Sequence, residues 1–315
     1  MKPKIVCIVG PTASGKTDVS IRIAKAFDGE IICADSMQIY QELQIGTAKP
    51  SIEEQEGIPH HLFGIVPPDG EYNVARYKED AENTIQDILD RGKLPIIVGG
   101  TGLYINALSY ALDFTAQAPD QAFRDRIAEE YDTPGGAERL YKQMIELDPA
   151  SADRIHMNDK KRLIRRLEIL SGEERETYSF REPQQKFDML RIGINKDRAR
   201  LYSDINKRVD IMAEMGLETE VTDIYRKYGS DIQAFKAIGY KEFLPYFEGD
   251  ITIEKTLEII KRNTRRYAKR QLTWFRRESD IRWFYVDSYT DPHERNTEIC
   301  HCVQKFLEDK GDTIR

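Results

Sequence analysis

GPTASGKT, residues 10–17, decides the fold of this chain. An apolar run, IVCIV at 5–9, leads into it and an amphipathic segment leaves it, so it is the turn between a buried strand and a helix. The spacing G-x-x-x-x-G-K-T sets glycines where the backbone must approach phosphate oxygens. It turns successive N–H groups inward at a helix N-terminus, whose partial positive charge favours an anion. Gly10, Pro11, Thr12, Ala13, Ser14 and Gly15 are therefore read as a phosphate cradle. Lys16 supplies a mobile point charge, and the Thr17 hydroxyl stands where it can hold Mg²⁺. A purely structural glycine-rich turn is the alternative, but such a turn has no use for Lys16. The cradle alone leaves open which phosphate ester it holds.

At 315 residues, with 40% hydrophobic and 32% charged side chains, the chain has the composition of a water-soluble globular protein larger than one usual core. No apolar run approaches the roughly 20 residues of a membrane span, and the N-terminus enters a strand without a signal-peptide pattern. The expectation is a cytoplasmic protein with no membrane partner. The four cysteines, Cys7, Cys33, Cys300 and Cys302, show no disulfide framework and no paired metal spacing. Cys300-His301-Cys302 lacks a second pair of ligands, and His60-His61 reads as loop structure in a Pro-His-His-Leu turn.

Strand and helix alternate through much of the chain. Residues 5–9, 31–34, 94–98 and 190–194 read as short buried strands, each followed by a turn signal and helical periodicity, and 281–286 adds a late strand. Residues 74–91 form a long charged helix closed by Gly92. Between 116 and 185 helical segments follow one another without strands. The fold class is therefore α/β: a P-loop-type parallel sheet core flanked by helices, with a helical insertion domain. The core is discontinuous, 1–115 and 186–315, and the insertion is 116–185.

In an open parallel sheet the turns after the strands lie at the carboxyl edge, where ligands bind. The first strand ends in the cradle, the second in DSMQIY (35–40), the third in GGTGLY (99–104). Asp35 and Thr101 thus face whatever the cradle holds, and a carboxylate there holds metal, binds a donor or takes a proton. The plainer alternative for both is a helix N-cap or turn role. On these residues alone, a kinase with ATP in the cradle and Asp35 as base for a substrate hydroxyl is the default.

The formal net charge of −7 argues against a polyanion partner on average, but the average hides a local excess. KRNTRRYAKRQLTWFRR, 261–277, carries eight cations and no acid, with Tyr267, Trp274 and Phe275 interleaved. Lys160, Lys161, Arg162, Arg165 and Arg166 form a second cluster on a helical segment. Cationic helices with interleaved aromatics in an acidic chain point to a nucleic-acid face, against the alternative of a salt-bridged solvent face.

These stretches carry a family resemblance. GPTASGKT, DSMQIY at 35–40, GTAKP at 46–50, PHHL at 59–62, VGGTGLY at 98–104, AIGYKE at 237–242 and TRRYAKRQLTWFR at 264–276 together resemble the tRNA dimethylallyltransferases, or tRNA isopentenyltransferases. The resemblance implies transfer of a dimethylallyl group from dimethylallyl diphosphate to N6 of the adenosine just 3′ of a tRNA anticodon. It implies Lys16 and Mg²⁺ on Thr17 neutralising the leaving diphosphate, with Arg208 as a further ligand, Asp35 as general base and Thr101 on the bridging oxygen. The base must be flipped out to be reached. Asp35, Ser36, Met37 and Gln38 would read it, the Gln38 amide suiting an adenine edge. The anticodon stem-loop would be held by Arg124, by Asp159, Lys160, Lys161, Arg162 and Leu163, by Gly239, Tyr240 and Lys241, and by Arg265, Arg266, Lys269, Arg270 and Gln271. Asp69, Gly70, Tyr72 and Asn73 are further candidates for the donor entrance, and the protein is expected to be a monomer.

Three rival readings remain at this point: the kinase, a nucleotide-switched RNA-binding module without bond-making chemistry, and prenyl transfer to free adenine nucleotides. The 261–277 run favours RNA, since a mononucleotide needs no extended phosphate-tracking helix.

Overall fold

The structure, a computed structural model, describes residues 2–110, 120–172 and 186–309. The expected insertion border at 115/116 lies outside these residues, and so does position 185. The chain separates into two compact units, Met1–Tyr110 with Pro183–Arg315, and Ala111–Glu182.

The first unit is built on β1 (Lys4–Val9), whose residues are nearly all buried because both faces of the sheet are covered. Ile5, Cys7 and Val9 point into one hydrophobic cluster, Val6 and Ile8 into another. α1 (Lys16–Ala26) follows and buries Val19, Ile21 and Ile23 on the second face. β2 (Gly29–Cys33) comes next, then β3 (His60–His61). This corrects the loop reading of the histidines. They form a short edge strand, paired in parallel with Ile31 and Ile32. His61 Nε2 bonds the carboxylate of Glu30 at 2.7 Å, and Arg91 holds the same carboxylate, which is 2% exposed.

α2 (Val74–Asp90) starts where the Asn73 side chain accepts from the Arg76 N–H. It buries Tyr77, Ala81, Ile85 and Ile88 at helical spacing and turns out through Gly92, whose φ is +72°. β4 (Leu94–Gly99) and α3 (Gly102–Ser109) follow, with Tyr104 stacked on Tyr77 at 3.9 Å between ring centres.

In the second unit, α4 (Gln121–Tyr131), α5 (Gly136–Leu147) and α6 (Lys160–Ser171) share a core of Ile127, Leu140, Met144, Leu163, Ile164, Leu167 and Leu170. Asp120 caps α4 and Asp159 caps α6.

β5 (Asp188–Asn195) returns the chain to the sheet and α7 (Arg198–Glu214) and α8 (Leu217–Tyr228) follow. After α9 (Leu244–Phe247) comes the long α10 (Ile253–Phe275), then β6 (Arg282–Tyr285) and α11 (Pro292–Glu308). The strands run parallel in the order β3-β2-β4-β1-β5-β6. From β1 the chain first builds towards β2 on one side and later crosses to β5 on the other, so the crevice at the carboxyl end of β1 is a topological switch point, where such sheets bind ligands.

Candidate active site

The cradle between β1 and α1 takes its shape from left-handed backbone at Ala13 (φ +63°) and Gly15 (φ +97°) and from φ +150° at Gly10. A Cβ on Gly10 would fall 2.2 Å from the Ile194 carbonyl oxygen, so only glycine lets the cradle lie against the end of β5. Gly15 opens α1 without a side-chain cap, which leaves the first-turn N–H groups facing the crevice. The Ser14 hydroxyl is buried within the cradle with no hydrogen-bond partner among the described residues. Lys16 Nζ donates to the Gly10 and Pro11 carbonyls at 3.0 and 2.8 Å. Burial and the neighbouring Arg208 lower its pKa to about 8 against the opposing pull of Asp35.

Asp35 Oδ1 accepts from the Met37 N–H at 2.9 Å, an Asx-type turn with no helix after it, so the N-cap alternative does not hold there. Thr101 precedes α3, yet its side chain makes no cap bond. Its Oγ1 instead accepts from the Ser36 N–H at 3.0 Å, which ties the β4 turn to the β2 turn.

Two chambers open from this edge. A smaller one of about 70 Å³ is lined by Thr12, Lys16, Thr17, Asp35, Gln38, Arg208 and Gln271. A larger one of about 290 Å³ has an apolar wall, with Met37, Ile205, Val209, Met212, Ile238 and Ile260, and the cations Arg208, Lys236, Lys241 and Arg270. Asp35, Arg208, Thr12, Thr47 and Ala48 line both. Burial lowers the Arg208 pKa as well, against the opposing pull of Glu54 and Asp204, so this guanidinium is held in a dry position.

Several expected contacts have other work. Gln38 donates both amide hydrogens to the Thr47 and Ala48 carbonyls, at 2.9 and 3.0 Å, and so fastens the 46–50 loop; its amide N–H groups are not presented to a base. Tyr240 is fully buried and donates to Glu220 at 2.6 Å. Leu163 is core of the helical unit, and Asp159 is the cap of α6. Gln271 is 5% exposed, with both ends of its amide bonded to backbone. Tyr72 is buried against Asp80 and Asn73 caps α2; neither lines a chamber.

The two basic clusters differ. In α4 and α6 the cations are mostly matched: Arg124 and Arg165 to the buried Glu168, Lys160 to Asp132, Arg162 to Asp159, Arg166 to Asp148. Lys161 is exposed and makes no ion pair among the described residues. On α10, Arg262, Arg266, Lys269 and Arg270 fall on one exposed face at helical spacing, and Arg276 and Arg277 follow, all without an acidic partner among the described residues. Arg265 is turned in, donating to Asn206 at 2.5 Å. Gly239 and Lys241 lie in the larger chamber.

Sequence reasoning missed two supports. Lys196 donates to the Ala13 carbonyl at 3.1 Å and pairs with Asp204, so the turn after β5 also props the cradle. The rule applied to the first three strand ends would have found it at the fourth. Glu220 accepts from the N–H groups of Gln44, Ile45 and Gly46 and pins the 46–50 loop to α8. No sequence signal marks it.

A switch-point cradle that opens into a half-apolar chamber is the arrangement of a P-loop protein acting on a phosphate ester with an organic part. The family model described as IPP transferase matches residues 38–278, and one described as isopentenyl transferase matches 3–63. The tRNA dimethylallyltransferase of Bacillus cytotoxicus is 46% identical over 99% of this chain and 98% of its own length. That of Alkaliphilus oremlandii is 47% identical over 97% of each. Among solved structures, the full-length tRNA isopentenylpyrophosphate transferase of Bacillus halodurans superposes with a TM-score of 0.75 at 40% identity, covering 98% of this chain and 97% of that one. A eukaryotic dimethylallyltransferase acting on tRNA gives 0.82 at 31% identity, covering 96% and 80%. The chain belongs to the IPP transferase family, the tRNA dimethylallyltransferases, and the kinase and nucleotide-switch readings fall away.

Proposed function

We propose that this chain transfers the dimethylallyl group of dimethylallyl diphosphate to N6 of the adenosine immediately 3′ of the anticodon in tRNA. The observation that carries this reading is the pair of chambers with Asp35 and Arg208 in the wall of both. The cradle takes the diphosphate, and the apolar wall of the larger chamber suits the five-carbon group and a flipped base. In the step, the bond between the allyl C1 and the diphosphate oxygen breaks with its electron pair leaving on oxygen. A bond from N6 to C1 forms, and the N6 proton passes to Asp35. The amine lone pair is delocalised into the purine ring, so removal of that proton matters to the rate. Lys16 and Arg208 neutralise charge on the departing diphosphate, and Thr101 is within the same edge to bond the bridging oxygen.

Mg²⁺ fits this chemistry because the cradle offers hydroxyls, an exposed Thr17 and a buried Ser14 that has no hydrogen-bond partner among the described residues, rather than a cage of carboxylates. Thr17 would hold the ion together with diphosphate oxygens and water, and the ion supplies further charge neutralisation. The exposed α10 cations, with Lys161 on the helical unit, would track the stem-loop backbone. A monomeric, cytoplasmic enzyme is the working form we propose.

The test is incorporation of label from dimethylallyl diphosphate into anticodon stem-loop RNA, run beside AMP and beside Asp35→Ala, with Mg²⁺ present. Label in RNA that is lost with Asp35→Ala supports the reading. Label in AMP alone moves the acceptor to free nucleotides, and no label in either refutes the transfer.

A further inference from the structure

Gln271 lies on the inward face of α10, at helical spacing with the buried Ala268 and Phe275, and is 5% exposed. Its Oε1 accepts from the Thr12 N–H at 3.0 Å, and its Nε2 donates to the Gly100 carbonyl at 3.0 Å. One amide therefore joins the cradle after β1 to the turn after β4. The next residue in that turn is Thr101, whose hydroxyl holds the Ser36 N–H beside Asp35. Gly100 is shaped to this contact: a Cβ there would lie 2.1 Å from Gln271 Nε2.

We infer that Gln271 is a positioning residue, a clamp that fixes the spacing between the phosphate cradle and the Thr101 turn. The inference rests on the transfer proposed above. A leaving diphosphate is gripped by the cradle while Asp35 and Thr101 belong to the neighbouring turns, so the two groups of residues must keep register to within a fraction of an ångström as the bond breaks. Misplacement of about 1 Å in such a site costs on the order of a hundredfold in rate. The β-ladder holds the strands, but the turns beyond the strand ends are outside it. Thr101 N–H is bonded to Ala34, which ties β4 to β2 and leaves the cradle out. Gln271 supplies the missing link. A carboxamide offers an acceptor and a donor at one end, which neither Glu in its ionised form nor Met can do. Both partners are backbone groups, so the clamp does not depend on the Thr12 side chain, while at position 100 it requires a residue without a Cβ.

The test compares Q271M and Q271E with the wild-type chain in transfer from dimethylallyl diphosphate to a stem-loop RNA. Q271M keeps the volume and loses both bonds. The expected result is a kcat lower by roughly ten- to a hundredfold with the RNA KM little changed, measured well below a melting temperature that falls because the Thr12 N–H and the Gly100 carbonyl lose their partners. Q271E retains the acceptor for Thr12 and sets a carboxylate against the Gly100 carbonyl. Protonation restores the donor, so its rate relative to wild type should rise as pH falls. A Q271M enzyme at wild-type kcat overturns the clamp. So does a loss confined to the RNA KM, which would make Gln271 an RNA contact, or a Q271E ratio that is flat with pH. A wild-type chain that labels nothing refutes the transfer reading alone. The clamp is then judged on inorganic diphosphate binding by calorimetry, where weaker binding by Q271M supports it and equal binding overturns it.

Discussion

Asp35→Asn separates the chemical role of this carboxylate from its structural one. Among the described residues the Asp35 side chain makes one hydrogen bond, from the Met37 N–H to Oδ1 at 2.9 Å, and an asparagine carbonyl accepts that bond equally well. The turn should therefore stand, and the melting temperature should hardly move. What the substitution removes is a group able to take the N6 proton. General-base contributions run at about 10²–10⁴-fold, which is roughly 3–5 kcal/mol of barrier. Asp35→Ala removes the turn bond as well, and about 1 kcal/mol of stability should go with it. The assay is a single-turnover rate at saturating donor and RNA, which excludes product release, with thermal unfolding of each variant alongside. Asp35→Asn turning over within about threefold of wild type would refute the base assignment, because a rate that survives loss of the base falls below even the smallest general-base contribution. A collapse of the melting temperature in Asp35→Asn would refute the turn argument instead.

Lys16 has a pKa lowered to about 8, so it loses its proton as pH rises through that value, and diphosphate affinity should weaken between pH 7 and 9.5. Lys16→Arg should bind with a flat profile over that range, and a wild-type profile equally flat would count against the lowered pKa. Glu220→Ala leaves the N–H groups of Gln44, Ile45 and Gly46 and the Tyr240 hydroxyl without their acceptor; roughly 2–4 kcal/mol of stability should be lost, read as a denaturant midpoint. Glu30 is held down to about 2 by its bonds to Arg91 and His61, against an ordinary value of 4.5. Its folded pKa is depressed, so its contribution is full above pH 4.5 and disappears as pH falls towards 2; Glu30→Gln should flatten the loss of melting temperature across that window. Replacing Arg266 or Lys269 by Ala should each reduce the slope of log affinity for stem-loop RNA against log salt by about 1, and an unchanged slope would mean that the α10 face does not touch phosphate.

What was legible in the sequence was whatever local chemistry dictates. The strand at 5–9 and the cradle after it follow from an apolar run, two glycines and a lysine at fixed spacing, and the same grammar located the turns carrying Asp35 and Thr101. The unpaired cations of α10 were legible too, because no acid lies within the run to match them. The pairing of Arg124 and Arg166 was hidden for the converse reason: Glu168 and Asp148, which pair with them, come near only when α4, α5 and α6 pack, whereas the Arg165–Glu168 pair lies within α6 three residues apart. Gln38, Tyr240 and Gln271 make the same point more sharply. Each sits in a motif whose residue types suit RNA, and each is consumed by a backbone or carboxylate partner far away in sequence. For Gln271 the two partners are 259 and 171 residues distant. No periodicity or spacing encodes a contact between a helix near the C-terminus and two turns near the N-terminus; it exists only because β1 lies beside β4 in the sheet and α10 crosses their ends. A motif therefore identifies which residues attend the chemistry, while the topology of the sheet decides which of them touch substrate and which hold the others still.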